Sequence, residues 1–449
     1  MTAELGQLWT TLTGDQLASG VVQITGEESV LPGPFRVATA AAASIAAATL
    51  AAGELLRLRG IEPGVVSVDT RHAAAAFHSE RYLRVNGESP GDVWAELSGD
   101  YRASDSWVRL HCNYPQHAAS VCWALGVPPS RDAVAKAVAG WTARNVQDAV
   151  IWAGGAAAAM RDRAAWLAHP QGQVVAELPP VELRQIGSAP TRALFNAEHH
   201  AASGLRVLEL THVIAGPVAG RTLAAHGATV LHVGAAHLPT VAPLVVDTGM
   251  GKRSAYVDLS SDGGRARLRK LISRADVFIQ SFRPNSLAKL GFSAEELVKL
   301  RPGLIVVDLS AYGWRGPWAN RRGFDSLVQM ASGIAAEGGL DQPRPLPVQA
   351  LDHATGWLAA AAVMTAVKQQ VLEGGSWHAK LSLAGTGMWL DSLGRKDPDG
   401  AEVDMSDLLQ ETPSQFGTLT HVRVPGTLPG GNPQWTHGSH LPGSDAPSW

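Results

Sequence analysis

Residues 204–309 alternate short apolar runs with amphipathic stretches, and this alternation restricts the possible folds more than any other feature of the 449-residue sequence. Turn residues bound each apolar run, which is typical of strands that alternate with helices. Such strands form parallel βαβ units, whose helices cover both faces of the sheet. The sequence therefore predicts an α/β fold with a Rossmann-like, doubly wound parallel sheet. The predicted strands are 205–210, 228–233, 276–279 and 304–309, and the predicted helices are 216–225, 263–274 and 293–300.

Changes in composition and in hydrophobic periodicity divide the chain into five regions. In chain order they are 1–90, a helix–strand–helix segment; 91–187, a small α+β domain; 188–203, a polar linker; 204–392, the complete α/β lobe; and 393–449, a tail. The tail is rich in Pro, Gly and Asp and has few periodic apolar residues. We therefore expect it to pack on another lobe.

Composition narrows the classes of protein to which this chain can belong. Hydrophobic residues make up 45% and charged residues 17%, which excludes an intrinsically disordered chain. A net charge of −3 does not indicate nucleic-acid binding, and two cysteines are too few for a zinc site of their own. Residues 1–20 lack the pattern of a secretory signal, and the apolar stretch 37–52 is shorter than the roughly 20 residues of a membrane span. We expect a cytoplasmic protein without nucleic-acid, membrane or metal partners.

Doubly wound sheets bind ligands beyond the carboxyl ends of their strands, so the loops there are the candidates for function. The first, 211–217, has no Gly-x-Gly-x-x-Gly, and a dinucleotide site is therefore not indicated. Three others, at 251–254, 281–284 and 312–325, carry Lys or Arg beside aromatic or apolar residues. Each basic residue alone is compatible with a solvated surface role. Their recurrence at strand ends favours a ligand with phosphates and a flat ring.

Asp352 lies just before the apolar run 357–367, and the residues alone allow it two roles. A carboxylate that opens a helix often caps the helix or stabilises its first turn. A carboxylate can also act as a nucleophile that forms an acyl intermediate. Hydrophobic periodicity does not distinguish the two roles.

A series of motifs between 206 and 333 resembles the family III CoA-transferases, a family that includes carnitine and formyl-CoA transferases and the α-methylacyl-CoA racemases. The motifs follow one another in the order and spacing of the family. They are R-V-L-E-L-T-H-V-I-A-G-P (206–217), G-A-T-V-L-H-V (227–233), G-K-R-S-A-Y-V-D-L (251–259), A-D-V-F-I-Q-S-F-R-P (275–284), L-A-K-L-G-F (287–292), Y-G-W-R-G-P (312–317) and G-F-D-S-L-V-Q-M-A-S-G (323–333).

The resemblance implies a mechanism and a set of site residues. Asp352 would attack an acyl-CoA thioester to form a mixed anhydride, and an aspartyl-CoA thioester would then pass CoA to a carboxylic acid. Coenzyme A would be a substrate, with no permanently bound cofactor, and Asp325 would lie near the nucleophile. The resemblance also implies a homodimer, possibly interlocked. The residues implied in CoA binding are His212, Val213, Ala215, Val257, Asp258, Ser281, Phe282, Arg283, Lys289 and Arg322.

Two departures from the family pattern bear on the activity. Residues 234–236 are Gly-Ala-Ala where a Glu is usual after the strand, which puts one CoA contact in doubt. Phe324 stands where racemases have a histidine that acts as acid and base, and this favours transfer over racemisation. A racemase-like enzyme and a non-catalytic acyl-CoA-binding protein remain as alternatives.

The N-terminal half resembles pieces of the same family in a rearranged order. Residues 107–187 resemble the small domain that normally follows the large one. Residues 34–77, with a helix predicted at 38–59, resemble the segment around the nucleophile and place Thr39 over Asp352, 313 positions away. Because threonine occupies this position, we expect a catalytically empty partial repeat whose small domain serves the complete lobe.

Overall fold

The structure, a computed structural model, describes residues 1–194, 200–339, 341–400 and 403–449, so part of the predicted linker, 195–199, lies outside the described residues. The strands are β1 (Val22–Thr25), β2 (Val66–Asp69), β3 (Arg84–Val85), β4 (Gly99–Arg102), β5 (Trp107–Leu110), β6 (Ala157–Ala159), β7 (Glu182–Gly187), β8 (Arg206–Leu210), β9 (Thr229–Gly234), β10 (Lys252–Tyr256), β11 (Val277–Gln280), β12 (Ile305–Ser310), β13 (Ser376–Ser382), β14 (Leu409–Ser414) and β15 (Gly417–Val422). The helices are α1 (Thr2–Thr13), α2 (Val37–Leu58), α3 (Thr70–Ala76), α4 (Ser79–Tyr82), α5 (Pro115–Leu125), α6 (Arg131–Ala139), α7 (Ala143–Trp152), α8 (Arg163–Ala168), α9 (Pro170–Ala176), α10 (Ala215–Ala225), α11 (Ala242–Thr248), α12 (Asp262–Ile272), α13 (Ala294–Leu300), α14 (Asp325–Ser332), α15 (Ile334–Glu337), α16 (Ala350–Leu372) and α17 (Leu383–Ser392).

The main sheet has the strand order β10-β9-β8-β11-β12-β13-β7 among the described residues. The six strands from β8 to β13 are parallel, which confirms the predicted doubly wound sheet. From the central β8 the chain first adds β9 and β10 on one side, and then β11 to β13 on the other. The direction of winding therefore reverses between β8 and β11, and a crevice is expected where the loops after these strands diverge.

Both faces of this sheet are buried, which explains why its strands are continuous apolar runs. Alternate residues enter two separate cores, because successive side chains of a strand point to opposite faces. Val207 and Ile279 pack in one core, whereas Leu208 and Phe278 pack in the other. Helix α13 begins at the predicted position, and the side chain and backbone of Ser293 pair reciprocally with Glu296.

The boundary of the small domain differs from the sequence prediction. Strand β7, placed in the 91–187 domain by the sequence, pairs antiparallel with β13 and forms an edge of the main sheet. The small domain consists of the sheet β4-β5-β6, helices α5 to α7 and a separate apolar core. The prediction is wrong at this boundary because the partner of β7 lies far away along the chain.

The beginning of β10 also differs from the prediction. The sequence predicts a basic loop at 251–254, but strand β10 already starts at Lys252. The Lys252 ammonium is buried and donates hydrogen bonds to Glu209 at 2.7 Å and to the Pro217 carbonyl at 2.6 Å. A paired lysine can occupy the interior of a sheet, and Lys252 therefore does not contribute to a basic rim.

Two alanine-rich helices, α2 and α16, pack against each other in one core. By length and composition alone α2 could cross a membrane, and it is the one such helix among the described residues, but it is almost wholly buried inside the protein. Lys368 of α16 donates to Glu54 of α2 at 2.9 Å. Alanine leaves little side-chain volume between the helices, and this permits their close packing.

The C-terminal tail spreads over several parts of the molecule. Strands β14 and β15 form a hairpin that pairs with β3. Thr427 exchanges backbone hydrogen bonds with Ser67 of β2, and the Trp449 indole donates to the Leu271 carbonyl of α12 at 2.9 Å. The tail therefore contacts both the N-terminal segment and the α/β lobe.

Candidate active site

A cleft of about 470 Å³ opens at the point where the winding of the sheet reverses. Its walls are the loops after β8, β11 and β12, the first turn of α16 and the start of α5. The structure thus brings together most of the site residues that the sequence singled out. Those that line the cleft are His212, Val213, Ala215, Ser281, Phe282, Arg283, Arg322 and Asp352.

The loop after β8 follows a strained path beside the nucleophile candidate. Val213 has a positive φ of 67°, which is unfavourable for a β-branched residue and is often found at functional sites. The His212 backbone amide donates to the Ser281 hydroxyl at 3.3 Å, which ties this loop to the one after β11. Burial, and secondly the charge of His232, lowers the pKa of His212 to about 4, so its imidazole is neutral at neutral pH.

Asp352 lies in the first turn of α16, buried but in contact with the cleft. Its backbone amide donates to the carboxylate of buried Asp325 at 2.9 Å, and the Gln329 amide also donates to Asp325. The Asp352 carboxylate accepts a hydrogen bond from the Ala215 backbone. Burial, and secondly the neighbouring Asp325, raises the pKa of Asp352 well above its usual range. Burial likewise raises the pKa of Asp325 to about 6.

Three arginines line the cleft, and they differ in what their side chains already contact. Arg283 is exposed and Arg322 half-buried, and burial followed by the charge of Arg283 lowers the pKa of Arg322. A guanidinium stays protonated despite such a shift. Arg321 also lines the cleft, but it donates to the Ala157 carbonyl at 2.7 Å and packs over Trp318 at 4.0 Å. Arg283 and Arg322 are therefore the residues suited to hold an anionic ligand.

The remaining wall is aromatic, and three of its residues come from the small domain, which the sequence predicts to serve this lobe without indicating which of its residues do so. The ring of Phe324 stacks on His111 at 3.5 Å, and Tyr114 and His117 flank it at 6.1 and 5.9 Å. Burial lowers the pKa of His111 to about 3 and that of His117 to about 4. These imidazoles are consequently neutral. The run H-C-N-Y-P-Q-H (111–117), which leads into α5, is the available sequence signal, because aromatic and imidazole side chains cluster there at a helix start.

Comparison with known proteins assigns this site to a family. The model of CoA-transferase family III matches residues 202–393, which include the loops of the cleft and Asp352. This segment is a family III CoA-transferase domain.

Several proteins similar to this chain carry related names. An acetyl-coenzyme A transferase of Hypoxylon pulicicidum, nodX, is 33% identical over 196 residues, covering 42% of this chain and 33% of that one. An acyl-CoA transferase of Gibberella moniliformis is 25% identical over 424 residues, or 83% and 74% of the two chains. A succinate–glutarate CoA-transferase of Agrobacterium fabrum is 34% identical over 201 residues, or 40% and 50%. The chain thus spans a third to a half of the first and third relatives and about three quarters of the second.

Four of the predicted residues lie outside the lining of the cleft in the family III domain. Val257 is buried in the apolar core of the opposite sheet face. Asp258 is exposed and accepts from the Ser260 backbone at 2.9 Å, and Lys289 is exposed as well. Asp325 lies behind Asp352 and contacts it through the backbone. The cleft and its immediate support therefore involve nine of the twelve predicted residues.

Proposed function

We propose that the chain is an enzyme that transfers coenzyme A from an acyl-CoA to a carboxylic acid, with Asp352 as the nucleophile. The observation that supports this most is the position of Asp352, a buried carboxylate that faces the cleft lined by Arg283 and Arg322, inside the segment matched by the CoA-transferase family III model. The relatives named above act, by their names, on acetyl-, acyl- and succinate–glutarate-type substrates. Coenzyme A would be a substrate and not a resident cofactor.

The chemistry proposed for Asp352 proceeds through two covalent intermediates. A carboxylate oxygen attacks the thioester carbon, the C–S bond breaks, and its electron pair leaves with the CoA sulfur, which gives a mixed anhydride. The thiolate then attacks the aspartyl carbon of the anhydride and releases the donor acid, which leaves an aspartyl-CoA thioester. An acceptor carboxylate finally takes over CoA by the same two steps in reverse order.

The surroundings of Asp352 suit such a nucleophile. A carboxylate that is poorly solvated, as the raised pKa of Asp352 indicates, is more basic and more nucleophilic once ionised. Phe324 offers no proton-transferring group at its position in the cleft, which supports transfer over two-base racemisation. We also propose a cytoplasmic location and a homodimeric assembly, possibly interlocked.

The test is CoA exchange between a panel of acyl-CoA donors and carboxylic acids, with hydroxylamine added to trap the Asp352 intermediate as a hydroxamate. We expect exchange and Asp352 labelling in the unmodified protein and an at least about 10³-fold loss of exchange in Asp352→Asn. Thr39→Ser, at the corresponding position of the partial repeat, is the matched control and should keep full activity.

Three outcomes would contradict this function. Undiminished exchange in Asp352→Asn would exclude Asp352 as the nucleophile. Calorimetric binding of CoA without exchange across the whole panel would instead support the non-catalytic acyl-CoA-binding alternative, and deuterium wash-in at Cα of a branched acyl-CoA would support the racemase alternative.

A further inference from the structure

We propose that Tyr114 of the small domain is a second catalytic residue, whose hydroxyl donates a hydrogen bond to the acyl oxygen while Asp352 attacks the thioester. The inference rests on the proposed function and adds a residue that belongs to a different half of the chain. Three observations on position, hydrogen bonding and charge support it.

The position of Tyr114 is fixed from several sides. It precedes α5 in an extended conformation, with Pro115 as the first helical residue, and proline restricts the backbone at such a position. Its ring lies 6.1 Å from Phe324 and 5.4 Å from His117. Phe324 is in turn held by the stacked ring of His111. Tyr114 therefore lines the cleft that contains Asp352, and the neighbouring rings support its side chain.

The Tyr114 hydroxyl has no hydrogen-bond partner among residues 1–194, 200–339, 341–400 and 403–449. Tyr101 in the core of the same domain differs, because its hydroxyl donates to the Leu97 carbonyl at 3.0 Å. Tyr114 is partly buried and lines the cleft, where a ligand or solvent can supply the hydrogen-bond partner of its hydroxyl. The hydroxyl of Tyr114 is thus available to a molecule in the cleft.

The charge environment keeps this hydroxyl protonated. Burial, and secondly the charge of Asp352, raises the pKa of Tyr114 to about 12. The neighbouring Ala215 amide is already engaged with the Asp352 carboxylate, so it is occupied in the free protein. His117 is neutral, and its Nδ1 has no hydrogen-bond partner within the described part of the chain, which makes it the competing donor that an experiment has to separate from Tyr114.

The step that Tyr114 would assist is the first one. An Asp352 oxygen forms a bond to the thioester carbon, and the π electrons of the carbonyl move onto its oxygen. The Tyr114 O–H donates to this oxyanion without giving up its proton. The carbonyl then re-forms, the C–S bond breaks, and the electron pair leaves with the CoA sulfur. Preorganised donors of this kind stabilise the transition state more than the ground state.

The experiment compares Tyr114→Phe with Tyr101→Phe, which removes a hydroxyl of the same domain away from the cleft. For Tyr114→Phe we expect kcat and the single-turnover rate of Asp352 adduct formation to fall about 10²-fold, as for loss of an oxyanion donor. KM and the calorimetric Kd for CoA should change by less than about threefold, because the hydrogen bond is made in the transition state. Tyr101→Phe should leave kcat unchanged, and the thermal transition of each variant reports its folding.

Adduct formation at the unmodified rate in Tyr114→Phe would overturn the inference and leave the proposed function intact. A loss confined to CoA affinity would also overturn it, because Tyr114 would then be a binding residue only. A 10²-fold loss of rate in His117→Asn but not in Tyr114→Phe would overturn it as well, because the donor would then be His117. Absence of any adduct in the unmodified protein would overturn the proposed function itself, and this outcome differs because it is seen before any substitution is made.

Discussion

The helix–strand–helix segment 37–76 and the segment 350–389 have the same backbone plan at a constant separation of 313 positions. Helix α2 follows Arg36 with φ −81° and ψ 60°, and α16 follows Gln349 with φ −76° and ψ 64°. Glu28 accepts hydrogen bonds from the Ala38 and Thr39 amides, as Asp325 does from Asp352. The following strands, β2 and β13, lead into α3 and α17, whose first residues also correspond.

The difference between the two segments lies in what surrounds the first turn of the helix. Thr39 is fully buried and its hydroxyl donates to Glu28, whereas Asp352 faces the cleft. The sheet of the N-terminal segment has only β1 and β2, among the described residues, while β8 and β11 with their loops stand beside the second segment. A helix start whose amides donate to a carboxylate is therefore common to both segments. Only the second segment has β8, β11 and their loops beside it, and these form the cleft.

Each segment also pairs with a part of the chain that follows the other segment. Strand β7, from the N-terminal half, pairs with β13 through Glu182 and Lys380. Ser67, the counterpart of Lys380, pairs with Thr427 from the C-terminal tail. The small domain that follows the first segment lies beside the cleft of the second, and Tyr114 and Asp352 both line that cleft.

Replacing Thr39 by aspartate gives the first segment the carboxylate of the second. Thr39→Asp places an acid at a fully buried position beside Glu28. We expect the free energy of unfolding, measured by urea denaturation at pH 7, to fall by about 4 kcal/mol. Thr39→Val is the control, since it loses the hydroxyl bond without adding charge and should cost about 2 kcal/mol. Undiminished stability of Thr39→Asp would mean that the first segment has a solvated site after all.

The acid pair of the second segment should make stability depend on pH. The pKa of Asp325 is raised to about 6 in the folded protein, so its contribution to stability is fully present below its unfolded pKa of about 4 and is lost as the pH rises to about 6. Relative to Asp325→Asn, the unmodified protein should lose about 3 kcal/mol of unfolding free energy between pH 4 and 7.

The same pH comparison in an Asp352→Asn background serves as its control. The dependence should persist there, because burial and not the neighbouring charge is the largest cause of the Asp325 shift. A stability difference that stays constant between pH 4 and 7 would contradict the prediction.

The sequence predicts those parts of this molecule that depend on neighbouring residues. Apolar periodicity locates β8, β9, β11 and β12 to within a residue or so, and the Ser293–Glu296 pattern predicts the start of α13. Contacts between residues that are far apart in the sequence cannot be predicted from such local patterns. Whether Lys252 lies in a loop or in a sheet depends on Glu209, and the sheet to which β7 belongs depends on β13.

The residues of the candidate site also differ in whether the sequence predicts them. The motif resemblance locates the loop residues and Asp352, since these belong to one contiguous family segment. The motif resemblance does not predict the aromatic wall of His111, Tyr114 and His117, because the position of these rings around Phe324 results from the packing of one half of the chain on the other. Asp325 was implied by resemblance, but its role as acceptor of the Asp352 amide follows only from the fold.

Gly356 of α16 corresponds to Ala43 of α2, and exchanging the two residue types tests how closely each helix is packed. A Cβ at Gly356 would lie 2.5 Å from the Ala215 carbonyl and 2.8 Å from Val218, so Gly356→Ala must displace α10 and the loop whose amide binds Asp352. We expect a loss of about 2 kcal/mol in unfolding free energy and a lower kcat. Ala43→Gly, the reverse change, should cost about 1 kcal/mol through helix propensity and leave kcat unchanged. Equal effects of both changes on kcat would show that the first segment supports catalysis as directly as the second does.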